Sequence, residues 1–270
     1  MIVTLLSDFG TSDYFVGAMK AAILSRDERI RIVDITHEIP RHDVAAAAFN
    51  LLAVYRGFPS GTVHVAVVDP GVGSERAAIA VRAGEWLCVG PDNGTFGYLL
   101  EAEASAEARR IEAPSLFGRE HSATFHGRDV FAPAGAALAI GFPFADVGPL
   151  VAEPVRLQPL KNECDSDGTL RGRVLHVDHF GNCVTSLDRG DLSAGAEAYR
   201  YAVGDGSVEE VRPFYRAGAE GVPFAIWGSA GFLEIAVDRG SAAERLRVVA
   251  GSAVLARRRA TANLARGSSG

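Results

Sequence analysis

The run Val65-Ala66-Val67-Val68-Asp69-Pro70-Gly71-Val72-Gly73-Ser74-Glu75-Arg76 joins apolar residues to an acid, a proline, two glycines and an arginine. Its first half predicts a buried parallel strand and its second half a sharp, close-approach turn. In an open α/β sheet the carboxyl ends of strands face the ligand crevice. Asp69 therefore stands where an acid does chemistry. A phosphate-cradling loop needs a third glycine, and Arg76 occupies that place, so the turn is built for something other than a pyrophosphate.

Three further segments concentrate reactive side chains: Ser7-Asp8-Phe9-Gly10-Thr11-Ser12-Asp13, Thr124-Phe125-His126-Gly127-Arg128-Asp129 and Asp178-His179-Phe180-Gly181-Asn182. Asp8 follows a strand-like run, and a carboxylate there can accept two hydrogen bonds from a vicinal diol such as a ribose. Helix capping is the competing reading, with Asp13 the better cap. His126 is partly enclosed by Phe125, and both a structural role and a place in the Asp69 crevice stay open for it. Arg128-Asp129 reads as an internal ion pair. Asp178 and Asn182 suit a charged amino-acid moiety or an adenine edge, and equally an Asx turn about Phe180-Gly181. His176-x-Asp178-His179 has metal-ligand types but no complementary cluster. Trp227-Gly228-Ser229-Ala230-Gly231-Phe232 predicts a tight turn, and Ser229 lacks the Gly-x-Ser-x-Gly elbow of a serine hydrolase.

The elements that must hold these segments change character midway. Strands are expected at Ile2–Leu6, Ile30–Ile35 and Thr62–Val68, with a hairpin at Ala77–Val81 and Trp86–Val89. Helices are expected at Tyr14–Ser25, Val44–Tyr55 with Asp43 as N-cap, Phe96–Ala102 and Pro133–Ile140. Repeated β-α units imply a mostly parallel sheet flanked by helices over residues 1–152. A proline-bearing linker, 153–168, leads to a smaller antiparallel β domain, sandwich or barrel, over 169–258. Its strands are expected at Leu170–His176, Cys183–Ser186, Tyr199–Val203, Glu209–Val211, Phe224–Trp227, Phe232–Ala236, Leu246–Val249 and Ala253–Ala256. Residues 259–270 read as a solvated tail.

Composition excludes several classes. The chain has 270 residues, 48% hydrophobic and 22% charged, enough for one large domain or two moderate ones. A net charge of −6 argues against a nucleic-acid footprint. No apolar run reaches the roughly 20 residues that span a bilayer. Met1–Asp8 reads as a first strand rather than a signal peptide. Cys88, Cys164 and Cys183 share no metal-type spacing and are expected as buried or half-buried thiols in a reducing cytoplasm.

The four reactive segments, in this order and together with Phe232-Leu233-Glu234-Ile235-Ala236, resemble the S-adenosyl-L-methionine (SAM) hydrolase (adenosine-forming) family. That family is related to the SAM-dependent fluorinase and chlorinase. The resemblance covers nearly the whole chain. It implies an α/β N-terminal and a β C-terminal domain, a homotrimer, and substrate held at subunit interfaces. Asp8 would hold the ribose hydroxyls, and Asp13, Asp178 and Ser229 the methionine amine and carboxylate. Asn182 and the backbone near Val237 and Arg239 would meet the adenine. Asp69, Arg76 and His126 match the hydrolases' distinguishing set, where the fluorinase carries a tyrosine in place of Asp69. Arg41, after Ile39-Pro40, departs from the fluorinase's tryptophan.

The implied reaction is attack of water on C5′ of SAM, giving adenosine and L-methionine. A sulfonium is already a good leaving group, so no general acid, metal or cofactor is required. A halide near Asp69 would meet a repulsion of about 4 kcal/mol at ~4 Å with an effective dielectric near 20, which favours water as nucleophile. Three alternatives stay open: a SAM-dependent halogenase, a metal-dependent nucleotidase using Asp8, Asp69, His126 and Asp178, and a non-catalytic SAM sensor.

Overall fold

Every second residue of the central strands faces the same helix layer, and that periodicity organises the first unit. In the computed structural model residues 1–117 and 122–259 are described. The chain divides into two units, Met1–Leu160 and a second beginning at Lys161. The first contains β1 (Ile2–Ser7), α1 (Phe15–Leu24), β2 (Arg31–Thr36), α2 (Val44–Val54), β3 (Val63–Val67), β4 (Ala78–Ala83), β5 (Trp86–Pro91), α3 (Gly97–Ala102), β6 (Glu107–Arg110) and α4 (Ala132–Ala139). Its sheet runs β2-β1-β3-β5-β4-β6. The first four strands in that order are parallel, whereas β4 pairs antiparallel with both β5 and β6. The sheet is therefore mixed, with the expected hairpin ending the parallel run.

Val3, Leu5, Val63, Val65 and Val67 pack with Met19 and Ile23 of α1 and Leu138 of α4. Their neighbours Leu6, Ala66 and Val68 face the opposite way, onto Leu51 of α2 and Leu99 of α3. Strands covered on both faces read as continuous apolar runs, which is why β1 and β3 were legible. Asp43 caps α2 as expected, accepting a hydrogen bond from the Ala46 backbone N–H at 2.8 Å. The small residues of α4 permit close approach: a Cβ at Gly135 would lie 2.4 Å from a Val65 methyl.

His64 is fully buried on β3 and bonded through Nδ1 to Thr4 Oγ1 at 2.8 Å. Burial pushes its imidazole down to about 4 from an ordinary value of 6.5. The folded state thus binds the proton less readily than the unfolded chain, so stability is full above pH 6.5 and falls as pH drops towards 4. The expected loss is about 3 kcal/mol across that window. Denaturant unfolding at stepped pH checks this, and a His64→Gln variant is expected to flatten the decline.

The second unit is antiparallel: β7 (Glu163–Cys164), β8 (Leu170–Val177), β9 (Cys183–Asp188), β10 (Tyr199–Val203), β11 (Gly206–Val208), β12 (Phe224–Trp227), β13 (Phe232–Ala236), α5 (Ala242–Leu246) and β14 (Ala253–Arg258). The order is β11-β10-β14-β8-β9-β13-β12, with β7 on β8. Two expectations fail here. Leu246–Val249 is not a strand, because Ser241 caps α5 through Glu244 N and the helix ends at Arg247 in a left-handed conformation. Leu246 and Val248 are apolar because they enter the core, not because they alternate in a sheet. Glu209–Val211 is also displaced, since a tight Gly204-Asp205 turn pairs Val203 with Gly206 and ends β11 at Val208.

Cys88 and Cys183 are buried and free, and burial pushes the Cys183 thiol up to about 12. Cys164 corrects the expectation for all three, being exposed on the short strand β7. Among the described residues no helix is long and apolar enough to cross a membrane. The tail from residue 260 lies outside the described residues.

Candidate active site

Because β1, β2 and β3 are parallel, their carboxyl ends open on one edge, and Asp8, His37 and Asp69 follow within two residues of those ends. Beyond β3 the chain turns back, with Val72 N–H donating to Asp69 O and Ser74 Oγ to Gly71 O. That reversal returns the Arg76 side chain to the acid. Arg76 Nε lies 3.0 Å from each Asp69 carboxylate oxygen, and Nη2 also bonds Oδ2. The same Nη2 lies 2.7 Å from His126 Nδ1. Asp69, Arg76 and His126 are therefore one hydrogen-bonded unit. The Asp69 and Arg76 side chains are only 5% and 11% exposed, and the guanidinium rests 5.1 Å from the Phe131 ring centre.

This unit fixes a tautomer. A guanidinium has only donors, so His126 Nδ1 must accept, which places the imidazole hydrogen on Nε2. His126 itself stands immediately before a π-helical turn, Gly127–Phe131, that runs into α4. Such turns are rare and recur at functional sites. Arg128 and Asp129 pair with each other at 2.6 Å as expected, and Asp129 also accepts the Ser122 N–H. Asn93, beyond β5, donates to the Val68 carbonyl at 2.8 Å and so braces the residue before Asp69. The sequence signal for Asn93 is only its place after an apolar strand.

Gly73 holds the two halves of the unit together. Its φ is +78°, and a Cβ there would lie 2.4 Å from the Ala123 carbonyl oxygen. Gly73→Ala is expected to displace the segment leading to His126, costing about 1–3 kcal/mol of stability and roughly tenfold or more in rate. Gly71→Ala, whose Cβ meets no atom closer than 3.3 Å, is the control in thermal unfolding.

Asp69 and His126 border a cavity of about 160 Å³ whose walls include Phe9, Phe15, Val67, Val72 and Phe125. Phe15 and Phe125 meet edge to face, 5.2 Å between centres, and Phe9 packs on both. Apolar walls with a few convergent polar groups are the form of a small-molecule site. Asp8 stands apart from this cavity, its carboxylate accepting the His42 N–H at 2.9 Å. It does not cap α1, whose N-cap is Tyr14 without a side-chain bond. Asp13 does not cap it either and is exposed.

The second unit carries a larger cavity, about 680 Å³, lined by Asp178, Phe180, Asn182, Tyr215, Val237, Arg239, Gly240 and Ser241. Four of the residues expected to bind substrate are thus brought together. Asp178 makes the Asx turn as well: Oδ1 accepts from the N–H groups of Phe180 and Asn182, and Oδ2 from Asn182 Nδ2. The Asx turn is thus present, and it forms part of the cavity wall. Ser229 lies in the turn between β12 and β13, outside the lining of this cavity.

Tyr215 and Glu234 were missed. Tyr215 donates to Glu234 Oε2 at 2.9 Å, and burial pushes the Glu234 carboxyl up, reinforced by the Asp178 charge. A lone acid inside Phe232-Leu233-Glu234-Ile235-Ala236 was the available signal. Among the described residues no group of three or more His, Cys, Asp and Glu side chains is placed to hold a metal ion.

Comparison with known proteins agrees with this division. Residues 3–148 match the model of the SAM hydroxide adenosyltransferase N-terminal domain, and residues 172–255 that of the C-terminal domain. A (R)-S-adenosyl-L-methionine hydrolase from Thermus thermophilus is 41% identical over 260 residues, 93% of this chain and 98% of that protein. A fluorinase from Actinoplanes sp. is more distant, 29% identical over 87% of this chain and 90% of its own. The crystal structure of an uncharacterized conserved protein from Thermotoga maritima superposes with a TM-score of 0.87 at 35% identity, covering 96% of this chain and all of that one. With both domain models matched in sequence order and a hydrolase relative aligned almost end to end, this chain belongs to the SAM hydroxide adenosyltransferase family.

Proposed function

We propose that this chain hydrolyses SAM to adenosine and L-methionine, water being the nucleophile at C5′. The observation that carries the reading is the Asp69-Arg76-His126 unit beside a small, apolar-walled cavity. A water held there forms the C5′–O bond as the C5′–S bond breaks. The sulfur keeps the bonding electron pair and becomes the thioether of methionine. One water proton leaves, and the other remains on the 5′-hydroxyl of adenosine.

The hydrogen-bond pattern supports Asp69 as the group that takes the departing proton. Arg76 only donates, and His126 Nδ1 already accepts from Arg76. Among the described residues Asp69 Oδ1 receives the Arg76 Nε–H alone, shared with Oδ2, and a carboxylate oxygen has two acceptor positions. Asp69 is therefore the base, Arg76 fixes its plane, and His126 supplies an Nε2–H donor that orients the water. Asp8 takes the ribose hydroxyls, and Asp13, Asp178 and Ser229 the amino-acid end. Asn182 and the backbone at Val237 and Arg239 take the adenine.

The reaction needs no metal or cofactor in this reading. The protein acts in the cytoplasm as a homotrimer with substrate shared between copies. Tyr14, which meets the wall residue Phe125 edge to face, and Phe180, which lines the larger cavity, are both exposed and suit such sharing. Light scattering tests the assembly. The name of the Thermus thermophilus relative specifies the (R) sulfonium, and the same epimer is the preferred substrate here.

Incubation of EDTA-treated protein with a mixture of SAM epimers at varied chloride, followed by liquid chromatography, tests the activity. Adenosine and methionine forming at a chloride-independent rate, with the (R) epimer consumed first, are expected. A 5′-chloro product would make the chain a halogenase, and loss of activity on EDTA treatment would favour the metal-dependent nucleotidase.

A further inference from the structure

A buried histidine outside the catalytic unit ties two strand ends together. His37 follows β2 and is 4% exposed. Its Nδ1 lies 2.7 Å from the hydroxyl of Ser7, the last residue of β1 and the one before Asp8. Its Nε2 lies 3.2 Å from Asp34 Oδ1 at ion-pairing distance, without in-line hydrogen-bond geometry. Asp34 Oδ2 in turn accepts from Lys20 Nζ of α1 at 2.6 Å.

Because a carboxylate only accepts, the ring hydrogen of neutral His37 belongs on Nε2, facing Asp34. Nδ1 then accepts the Ser7 hydroxyl, which leaves Ser7 Oγ to accept the Phe9 N–H at 3.3 Å. The His37 carbonyl accepts the Gly10 N–H at 2.8 Å, so backbone and side chain of one residue grip both ends of the Ser7–Gly10 loop. Two residues inside that grip face the substrate in the reading above. Asp8 is met from the other side by the His42 N–H, and Phe9 is a wall of the cavity beside Asp69.

We propose that His37 is a positioning residue for SAM hydrolysis: through Ser7 it sets where the Asp8 carboxylate meets the ribose diol. Asp34, held by Lys20, faces the other ring nitrogen at ion-pairing distance. The proposal rests on Asp8 holding the ribose hydroxyls. It assigns a role in substrate placement to a side chain that need not touch substrate.

The test compares kcat and KM for SAM and for its 2′-deoxy analogue in four variants. His37→Asn keeps a polar atom near the Nδ1 position, His37→Gln keeps one near Nε2, and His37→Phe keeps neither. Asp8→Asn reports what losing the ribose contact does. If His37 acts through Ser7 on Asp8, His37→Phe and His37→Gln raise KM for SAM roughly ten- to a hundredfold with a smaller change in kcat. They also narrow the preference for SAM over the 2′-deoxy analogue, as Asp8→Asn does, and His37→Asn restores it. Equal losses on both substrates in the His37 variants, while Asp8→Asn narrows the preference, would overturn the positioning role and leave the ribose assignment standing. If Asp8→Asn fails to narrow it, the ribose assignment falls and the positioning role with it. His37→Gln and His37→Asn keep the comparison informative if His37→Phe does not fold.

Discussion

Asp69→Asn is expected to lower the single-turnover rate by about 10²–10⁴-fold, the range over which a positioned base contributes. The amide matches the carboxylate in shape but accepts at one oxygen only, and its NH₂ group would face the Arg76 donors now held at 3.0 Å. The water would then lose both its orienting acceptor and the acceptor of its proton. SAM binding should persist within a few-fold, because the proposed ribose, amino-acid and adenine contacts fall to other residues. Equilibrium dialysis beside rapid-quench kinetics separates the two effects. An unchanged rate would remove Asp69 from the mechanism.

Arg76→Met carries the second large effect, on stability as well as rate. It removes the partner of a carboxylate whose side chain is 5% exposed and leaves His126 Nδ1 without its donor from Arg76. Breaking a buried pair from one side costs about 3–5 kcal/mol, because the remaining charge stays desolvated. In a protein of this size that lowers Tm by roughly 10 °C. The Asp69→Asn, Arg76→Met double variant removes the stranded charge and is expected to recover part of the loss, with no recovery of activity. Calorimetry of the two single variants and the double reads the coupling directly. Equal stability of Arg76→Met and the unaltered protein would show that the pair has no structural weight.

The parts of this architecture that rest on strong local patterns were readable in advance. Continuous apolar runs marked β1 and β3, and Asp43 before the alanine-rich run marked the start of α2. Asp69 and Arg76 were legible because the turn between them is encoded within eight consecutive residues. Their bond to His126 was not, since it spans fifty positions and depends on a π turn that no residue pattern announces. The same reason hid Tyr215 and the Ser7-His37-Asp34 chain, whose members meet only once strands are in register. At α5 two local signals compete: Ser241-Ala242-Ala243-Glu244 has the capping-box spacing, whereas the apolar residues after it have the pattern of a strand. The Leu246 and Val248 side chains are drawn inward by the core of the second unit, and that tertiary demand outweighed local alternation.

In the proposed reaction water attacks C5′ and the sulfur departs with methionine. Running the reaction in ¹⁸O-enriched water and weighing both products by mass spectrometry tests it most directly. One heavy oxygen is expected in adenosine, on the 5′-hydroxyl, and none in methionine. Adenosine without the label, or label found in methionine instead, would contradict it.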